Sequence, residues 1–145
     1  RMCYTHRNLF AQLALALIIE GKKDKAAKVL AYADKMMPAY NVPVNFMSGG
    51  LDYAAAYAEI GNKAKAKQML GYVVKNAEQY ANWYLSLSQD RFLMSQRDCM
   101  LQLYVLNQAL EVANSFDPAE ARRINGILNR MAQQYSARGG QMPQE

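Results

Sequence analysis

Apolar residues recur at intervals of three and four along almost the whole chain, and no stretch shows sustained alternation of apolar and polar residues. This period places apolar side chains on one face of an α-helix, whereas a half-buried strand would alternate. Glycines and prolines divide the pattern into segments of helical length. The sequence therefore predicts an all-α fold of about six helices, paired as three antiparallel helical hairpins.

Local signals mark where these helices begin and end. Gly21 and Gly61 are expected to end the first and third helices, because glycine adopts the left-handed conformation that closes a helix. Pro38 is expected to end the second helix, and a turn is expected near residues 86–88. The run DPAE at residues 117–120 predicts the start of the last helix, with an acceptor at the cap, proline next and glutamate three residues after the cap.

Two of the hairpins share a pattern with a spacing of 40 residues between Gly21 and Gly61. Alanine and leucine occur at matching distances from both glycines, and the alanines predict a close approach of the two helices in each hairpin. The positions expected to pack within the repeat are Phe10, Leu13, Ala14, Leu17, Gly21, Ala26, Leu30 and Pro38, followed by Ala54, Tyr57, Gly61, Ala66 and Leu70.

The spacing of these residues resembles the tetratricopeptide repeat (TPR), a helical-hairpin unit that stacks into arrays. The first unit covers about residues 7–40 and the second about residues 47–87. The resemblance implies a right-handed array of antiparallel hairpins, completed by a final hairpin at 89–136. We therefore expect a single TPR-like domain over residues 1–136 and a flexible tail at 137–145.

The TPR resemblance also implies a groove lined by the first helix of each hairpin. All but one of the matching positions are apolar, so a clamp for a carboxylate peptide terminus is not expected. An apolar groove must be covered by a partner helix or by the chain's own last hairpin. The candidate groove residues are Asn8, Ala11, Leu15, Ile18, Leu51, Ala55 and Ala58.

A second resemblance concerns the first part of the chain. The sequences YTHRNLF at residues 4–10, LALALIIEGKKDKA at 13–26 and PAYNVP at 38–43 look like the soluble C-terminal tail of a large bacterial family of multispanning membrane proteins. The membrane part of that family is similar to protein O-mannosyltransferases. The resemblance implies a soluble domain beside a membrane-embedded glycosyltransferase-like module, on the periplasmic side. Because the chain starts at Arg1, we expect it to be a piece of a larger protein.

Few residues in the sequence support metal binding or catalysis. His6 is the only histidine, and with Cys3 it supplies two of the three or four protein ligands that zinc sites use. The acidic residues are dispersed, and no glycine-rich phosphate loop is present. Cys3 and Cys99 match no CxxC motif, and the sequence leaves open whether they are bridged. We predict no catalytic, metal or cofactor-binding residues, no cofactor, and a protein that is not an enzyme.

Length and charge limit the possible partners. The 145 residues fit one domain, and 52% are apolar, which is enough for a core. The net charge is +5, and all nine lysines lie between Lys22 and Lys75. The lysines are expected on the outward faces of the second helix of each hairpin, as an ordinary solvated surface or as a surface for lipid headgroups or nucleic acid. Aromatic residues near Trp83 are expected to pack between helices, because they lie on one helix face. Trp83 itself lies off that face.

These observations together predict a protein–protein interaction or scaffold module, the accessory domain of a membrane glycosyltransferase-like protein. The expected partner is a protein, either the parent's own membrane module or a neighbour. The alternative is a binder of anionic surfaces through the lysine-rich helices, with nucleic acid less favoured than lipid. Salt distinguishes the two functions, because a lysine-driven complex weakens steeply with ionic strength.

Overall fold

The fold is described from a computed structural model that covers residues 2–36 and 50–140, with the side chains of residues 2–8 and 34 left out of the description. The described residues form seven α-helices and no strand, which confirms the all-α prediction. The helices are α1 (Met2–Ile19), α2 (Lys23–Met36), α3 (Gly50–Glu59), α4 (Lys63–Leu85), α5 (Gln89–Met94), α6 (Gln96–Asn114) and α7 (Pro118–Ala137).

The turn between α1 and α2 and the turn between α3 and α4 have the same conformation. The N–H of Gly21 donates to the carbonyl of Ile18 at 2.9 Å, and the N–H of Lys22 donates to the carbonyl of Leu17 at 2.7 Å. The turn at Gly61 repeats both hydrogen bonds, at 3.1 and 2.9 Å. The two glycines have φ angles of +80° and +86°, a region that favours glycine. The 40-residue spacing in the sequence is therefore also a repeat of backbone structure.

Small residues line the contact inside each of the first two hairpins. Ala14 and Ala26 are fully buried in the first hairpin, and Ala54 and Ala66 are fully buried in the second. Leu30, Tyr57 and Leu70 are buried, whereas Phe10 and Leu17 are partly buried against the core. Pro38 lies outside the described residues.

Leu13 differs from its predicted packing role. Its side chain is 48% exposed. Leu13 lies about 200° around α1 from the fully buried Ala11, at 100° per residue, and therefore faces away from the core. Helical spacing selected it because several apolar residues crowd this helix, so more than one face fits the period.

The fifth predicted helix is divided into α5 and α6 at Ser95. The N–H of Ser95 donates to the carbonyls of both Arg91 and Phe92 at 3.0 Å, and its φ and ψ angles of −105° and 9° end α5. Phe92 and Cys99 are both fully buried, one on each side of the break. The seven-residue apolar period is interrupted in the sequence only at Gln96, so one helix is predicted where the structure has two.

Contacts between hairpins give the order of the helices in space. α3 packs against α1 and α2, while α4 packs against α6 and α7. The hydroxyl of Tyr57 on α3 donates to the carbonyl of Leu30 on α2 at 3.3 Å. Glu78 on α4 pairs with Arg130 on α7 at 3.1 Å. Each hairpin therefore contacts the hairpin that follows it in sequence.

The last helix begins where the DPAE run predicts. The side chain of Asp117 accepts a hydrogen bond from the N–H of Glu120 at 3.2 Å, and Pro118 occupies the first turn. The carboxylate of Glu120 is buried and accepts a hydrogen bond from Nε of Arg123 at 3.1 Å. The cap and the ion pair thus satisfy the N–H and the carboxylate of Glu120, the buried residue in the first turn of this helix.

The C-terminal end of α7 is folded as far as Gly140, beyond the point where a flexible tail was expected. Nη1 of Arg138 donates to the carbonyl of Leu85 at 2.6 Å, and Nε2 of Gln89 donates to the carbonyl of Arg138 at 2.7 Å. The N–H of Gly140 donates to the carbonyl of Tyr135 at 2.9 Å. The part of the expected tail at residues 137–140 is therefore attached to the α4–α5 connection.

Candidate interaction surface

The predicted groove residues on α1 and α3 are buried or partly buried. Ala11 is fully buried and Leu51 is buried, so neither residue lines an accessible groove. Leu15, Ile18 and Ala58 are partly buried and pack against the core. Ala55 is also partly buried, and the side chain of Asn8 lies outside the described residues.

A different surface lies on the C-terminal half of α4, which runs from Lys63 to Leu85. Ala77 and Ala81 keep one face of this half buried in the core. Another face of the same half carries large side chains that are accessible to a partner.

Two aromatic and two amide side chains line an open depression of about 430 Å³ on the C-terminal half of α4. Asn76, Tyr80 and Trp83 follow each other at intervals of four and three, and Gln79 lies beside them. Tyr80 is 49% exposed and Trp83 is 56% exposed. We refer to Asn76, Gln79, Tyr80 and Trp83 as the α4 surface. Its chemistry suits a ligand with apolar groups for the rings and a peptide-like backbone for the amides.

The framework behind the α4 surface holds Trp83 in position. Its ring packs edge-on against the ring of Tyr84, with centroids 5.0 Å apart and planes at 61°. Burial raises the pKa of the Tyr84 phenol, and the nearby carboxylate of Asp98 raises it further. The hydroxyl of Ser86 donates to the carbonyl of Trp83 at 2.7 Å and closes the helix end. Trp83 is therefore exposed on a well-supported helix rather than on a loop.

The sequence identified this region only in part. Trp83 was expected to fall off the seam, and it is exposed. Tyr80 was placed on the packing seam with Tyr84, yet half of its side chain is accessible. The apolar period gives the helix face on which Tyr80 lies, but a position on that face is buried only where another helix covers it.

Two further sets of large apolar side chains are exposed. One lies on the first hairpin, where Phe10 of α1 contacts Tyr32 of α2 with ring centroids 5.7 Å apart. The other lies on α5 and α6. The exposed members are Leu9, Leu13, Tyr32 and Met36 on the first hairpin and Leu93, Met94, Leu101 and Tyr104 on α5 and α6.

Groups suited to chemistry are sparse in the part of the chain that the structure describes. Within it, no cluster of three histidine, cysteine or carboxylate side chains is arranged to hold a metal ion. Cys99 is a free, buried thiol. The side chains of Cys3 and His6, which could supply only two of the ligands that a zinc site needs, lie outside the described residues.

Cys99 should react slowly with thiol reagents while the protein is folded. Burial raises the pKa of its thiol from 9.0 to about 11, and the reactive thiolate is correspondingly scarce. Between pH 9 and pH 11 the folded state retains the proton more strongly than the unfolded state, so this group's contribution to stability is lost as pH rises through that range. Iodoacetamide labelling of a Cys3→Ser variant, with and without urea, measures this; equal rates in both conditions would contradict it.

Comparison with protein-family models, with curated proteins and with solved structures gives no significant match. The class of the protein is therefore defined by its fold, which is all-α with helices joined as hairpins. Among the helices of residues 2–36 and 50–140, none combines the length and hydropathy needed to cross a membrane.

Proposed function

We propose that this chain is a non-catalytic protein–protein interaction module and that the α4 surface is where the partner protein docks. The observation that carries the proposal is the exposure of Trp83 and Tyr80 together beside two amide side chains. Tryptophan and tyrosine are enriched among the residues that dominate binding energy at protein interfaces. Their apolar rings lose contact with water on binding, and the amides of Asn76 and Gln79 pair with backbone groups.

We propose further that the module is a TPR-like array. Support comes from the repeated turn geometry at Gly21 and Gly61, from the buried alanines inside the first two hairpins, and from the packing of each hairpin on the next. In this arrangement α4 is the second helix of its hairpin. The partner would therefore bind on the C-terminal half of that helix and not in a groove between first helices.

For the biological setting, we propose an accessory domain of a membrane-anchored, glycosyltransferase-like protein on the periplasmic side. The partner is then the parent's own membrane module or a neighbouring protein. The support is the resemblance carried by residues 4–10, 13–26 and 38–43. The alternative predicted from sequence, binding of anionic surfaces (lipid headgroups or nucleic acid), uses the lysine-rich faces of the second helices of the hairpins and not the α4 surface.

Site-specific photocrosslinking in native cells tests the docking site. A photoreactive phenylalanine derivative at position 83 of the parent protein should give an adduct with one partner, or an internal adduct with the membrane module. The adduct should persist at high salt, because the contact is apolar. The same derivative at position 31, exposed on α2, is the matched control. Equal adducts at both positions, none at position 83, or loss of the adduct at high salt would contradict the proposal.

Loss of the tryptophan ring should weaken the complex without unfolding the domain. With the photoreactive group moved to position 79, Trp83→Ser should reduce adduct yield about tenfold or more, as expected for a residue that dominates an interface. The melting temperature of the Trp83→Ser protein should stay close to that of the unsubstituted protein, because more than half of the tryptophan side chain is exposed. Met94→Ser removes another exposed apolar side chain and should change neither quantity. A Trp83→Ser protein with full adduct yield would show that the partner docks elsewhere.

A further inference from the structure

We propose that the two turns joining the helices of the first and second hairpins contact an anionic lipid bilayer, with Ile19 inserting among the lipids and the flanking lysines binding the phosphates. The two turns, residues 19–28 and 59–67, are called the basic turns here. They do not include any residue of the α4 surface. The proposal therefore stands or fails independently of the proposed protein docking site.

Positive charge is concentrated in the basic turns. They contain seven lysines against three acidic residues, so they contribute +4 of the chain's net charge of +5. The remaining lysines are Lys35 and Lys75, and the arginines all lie outside the lysine-containing stretch. A surface of this sign is complementary to the negative potential of a bilayer that contains anionic lipids. Each lysine near such a bilayer contributes about 1 kcal/mol to binding, which is about fivefold in affinity.

The lysines of the first basic turn are available to an external anion. Lys22, Lys23 and Lys25 are exposed. Lys22 forms an ion pair with Glu20 at 3.3 Å, but both side chains are at least half exposed. An ion pair in that setting holds its partners weakly. The second basic turn has exposed lysines at the equivalent place, Lys63 and Lys67.

An exposed aliphatic side chain accompanies the lysines. Ile19 is the last residue of α1 and is 86% exposed, two residues before the turn glycine. Surface-bound helices and turns insert apolar side chains at the boundary between headgroups and acyl chains while their lysines remain at the phosphates. A nucleic acid has no apolar phase, comparable to the acyl chains, into which an isoleucine side chain could insert. The pairing of Ile19 with lysines therefore favours a bilayer over nucleic acid.

Stacking of the hairpins brings the two basic turns to one end of the domain in this proposal. The second and third hairpins stack in the same orientation, because Glu78 pairs with Arg130 and Leu85 with Arg138, so that α4 and α7 run in parallel. The same orientation for the first and second hairpins is compatible with the hydrogen bond from Tyr57 to Leu30. Both basic turns then reach one membrane surface together.

Vesicle flotation of the purified 145-residue chain tests the proposal. Vesicles of phosphatidylcholine with phosphatidylglycerol should carry the protein upward, and vesicles of pure phosphatidylcholine should not. Lys22→Gln with Lys23→Gln should weaken binding by about fivefold per lysine removed. Lys35→Gln with Lys75→Gln removes the same charge away from the turns and should weaken binding less than about twofold. Equal weakening by the two double variants would overturn the proposal in favour of a net-charge effect.

The role of Ile19 has its own matched pair of variants. Ile19→Ser should reduce binding to the phosphatidylglycerol vesicles at least about fivefold, because burial of an isoleucine side chain in an apolar phase is lost. Met94→Ser changes a side chain that is also 86% exposed, on α5, and should have no effect. The same proteins are also measured against double-stranded DNA at equal salt. An unchanged Ile19→Ser affinity for vesicles, or binding to DNA without binding to vesicles, would overturn the proposal.

Discussion

Replacing Ala26 with glutamate should unfold the domain. Ala26 is fully buried on α2, and Ala14 is fully buried on α1, the helix against which α2 packs. Glutamate would add four heavy atoms to a side chain that is a single buried methyl group, and it would bring a carboxylate into the apolar core. Overpacking and an unpaired buried charge act together, so we expect a loss of about 4 kcal/mol or more.

A loss of this size is comparable to the whole stability of an ordinary domain, about 5–15 kcal/mol. Circular dichroism during heating should therefore show no cooperative transition for Ala26→Glu, or one at a much lower temperature. Ala31→Glu places the same side chain at an exposed position of the same helix. Its melting temperature should be close to that of the unsubstituted protein. If Ala26→Glu were as stable as Ala31→Glu, the close helix contact in the first hairpin would be refuted.

The repeat extends this prediction to the second hairpin. Ala66 occupies the position equivalent to Ala26, 40 residues later, and is also fully buried. The sequence predicted this equivalence because glycine, alanine and leucine each have a narrow structural use here: glycine at positive φ, alanine at close contacts, and leucine in the core. Such positions depend on local geometry, which is why they could be read from one sequence.

The exposure of individual positions was harder to predict than the helix face on which they lie. The period of apolar residues places Tyr80 on the same face as Ala77, yet Ala77 is buried and Tyr80 is 49% exposed. An apolar period gives the side of a helix that a residue occupies, but it does not say which neighbouring helix covers that residue. Ala11 shows the converse, because it is predicted to line a groove and is fully buried.

The break at Ser95 and the folded end of α7 depend on contacts between residues that are far apart in the sequence. α5 has six residues and no side-chain hydrogen bond at its N-cap, so it is too short to be stable as an isolated helix. The contact of Phe92 with α7 is what retains it, through residues more than 40 positions later in the chain. No local pattern near Phe92 or Arg138 announces that contact, and the tail was accordingly expected to be flexible.

Replacing Phe92 with alanine should release the whole C-terminal end of the domain. Its ring is fully buried, packs edge-on against Tyr135 with centroids 5.7 Å apart, and has the guanidinium of Arg138 above it at 4.7 Å. Truncation leaves a cavity and removes the cation–π contact, so the expected loss is about 3–5 kcal/mol. Leu93→Ala, at an exposed position of the same short helix, should cost less than about 1 kcal/mol.

Hydrogen exchange separates this local effect from a general loss of stability. In Phe92→Ala, the N–H of Gly140, which donates to Tyr135, should exchange earlier than amides in the first hairpin, because the ring that positions Tyr135 and Arg138 is absent. Gly140→Ala should disturb the same contact, because a Cβ at position 140 would overlap the Tyr135 ring. Both variants should therefore loosen the same segment. If Phe92→Ala instead matched Leu93→Ala in melting temperature and in exchange at Gly140, the ring would not be what attaches α5 to the end of α7.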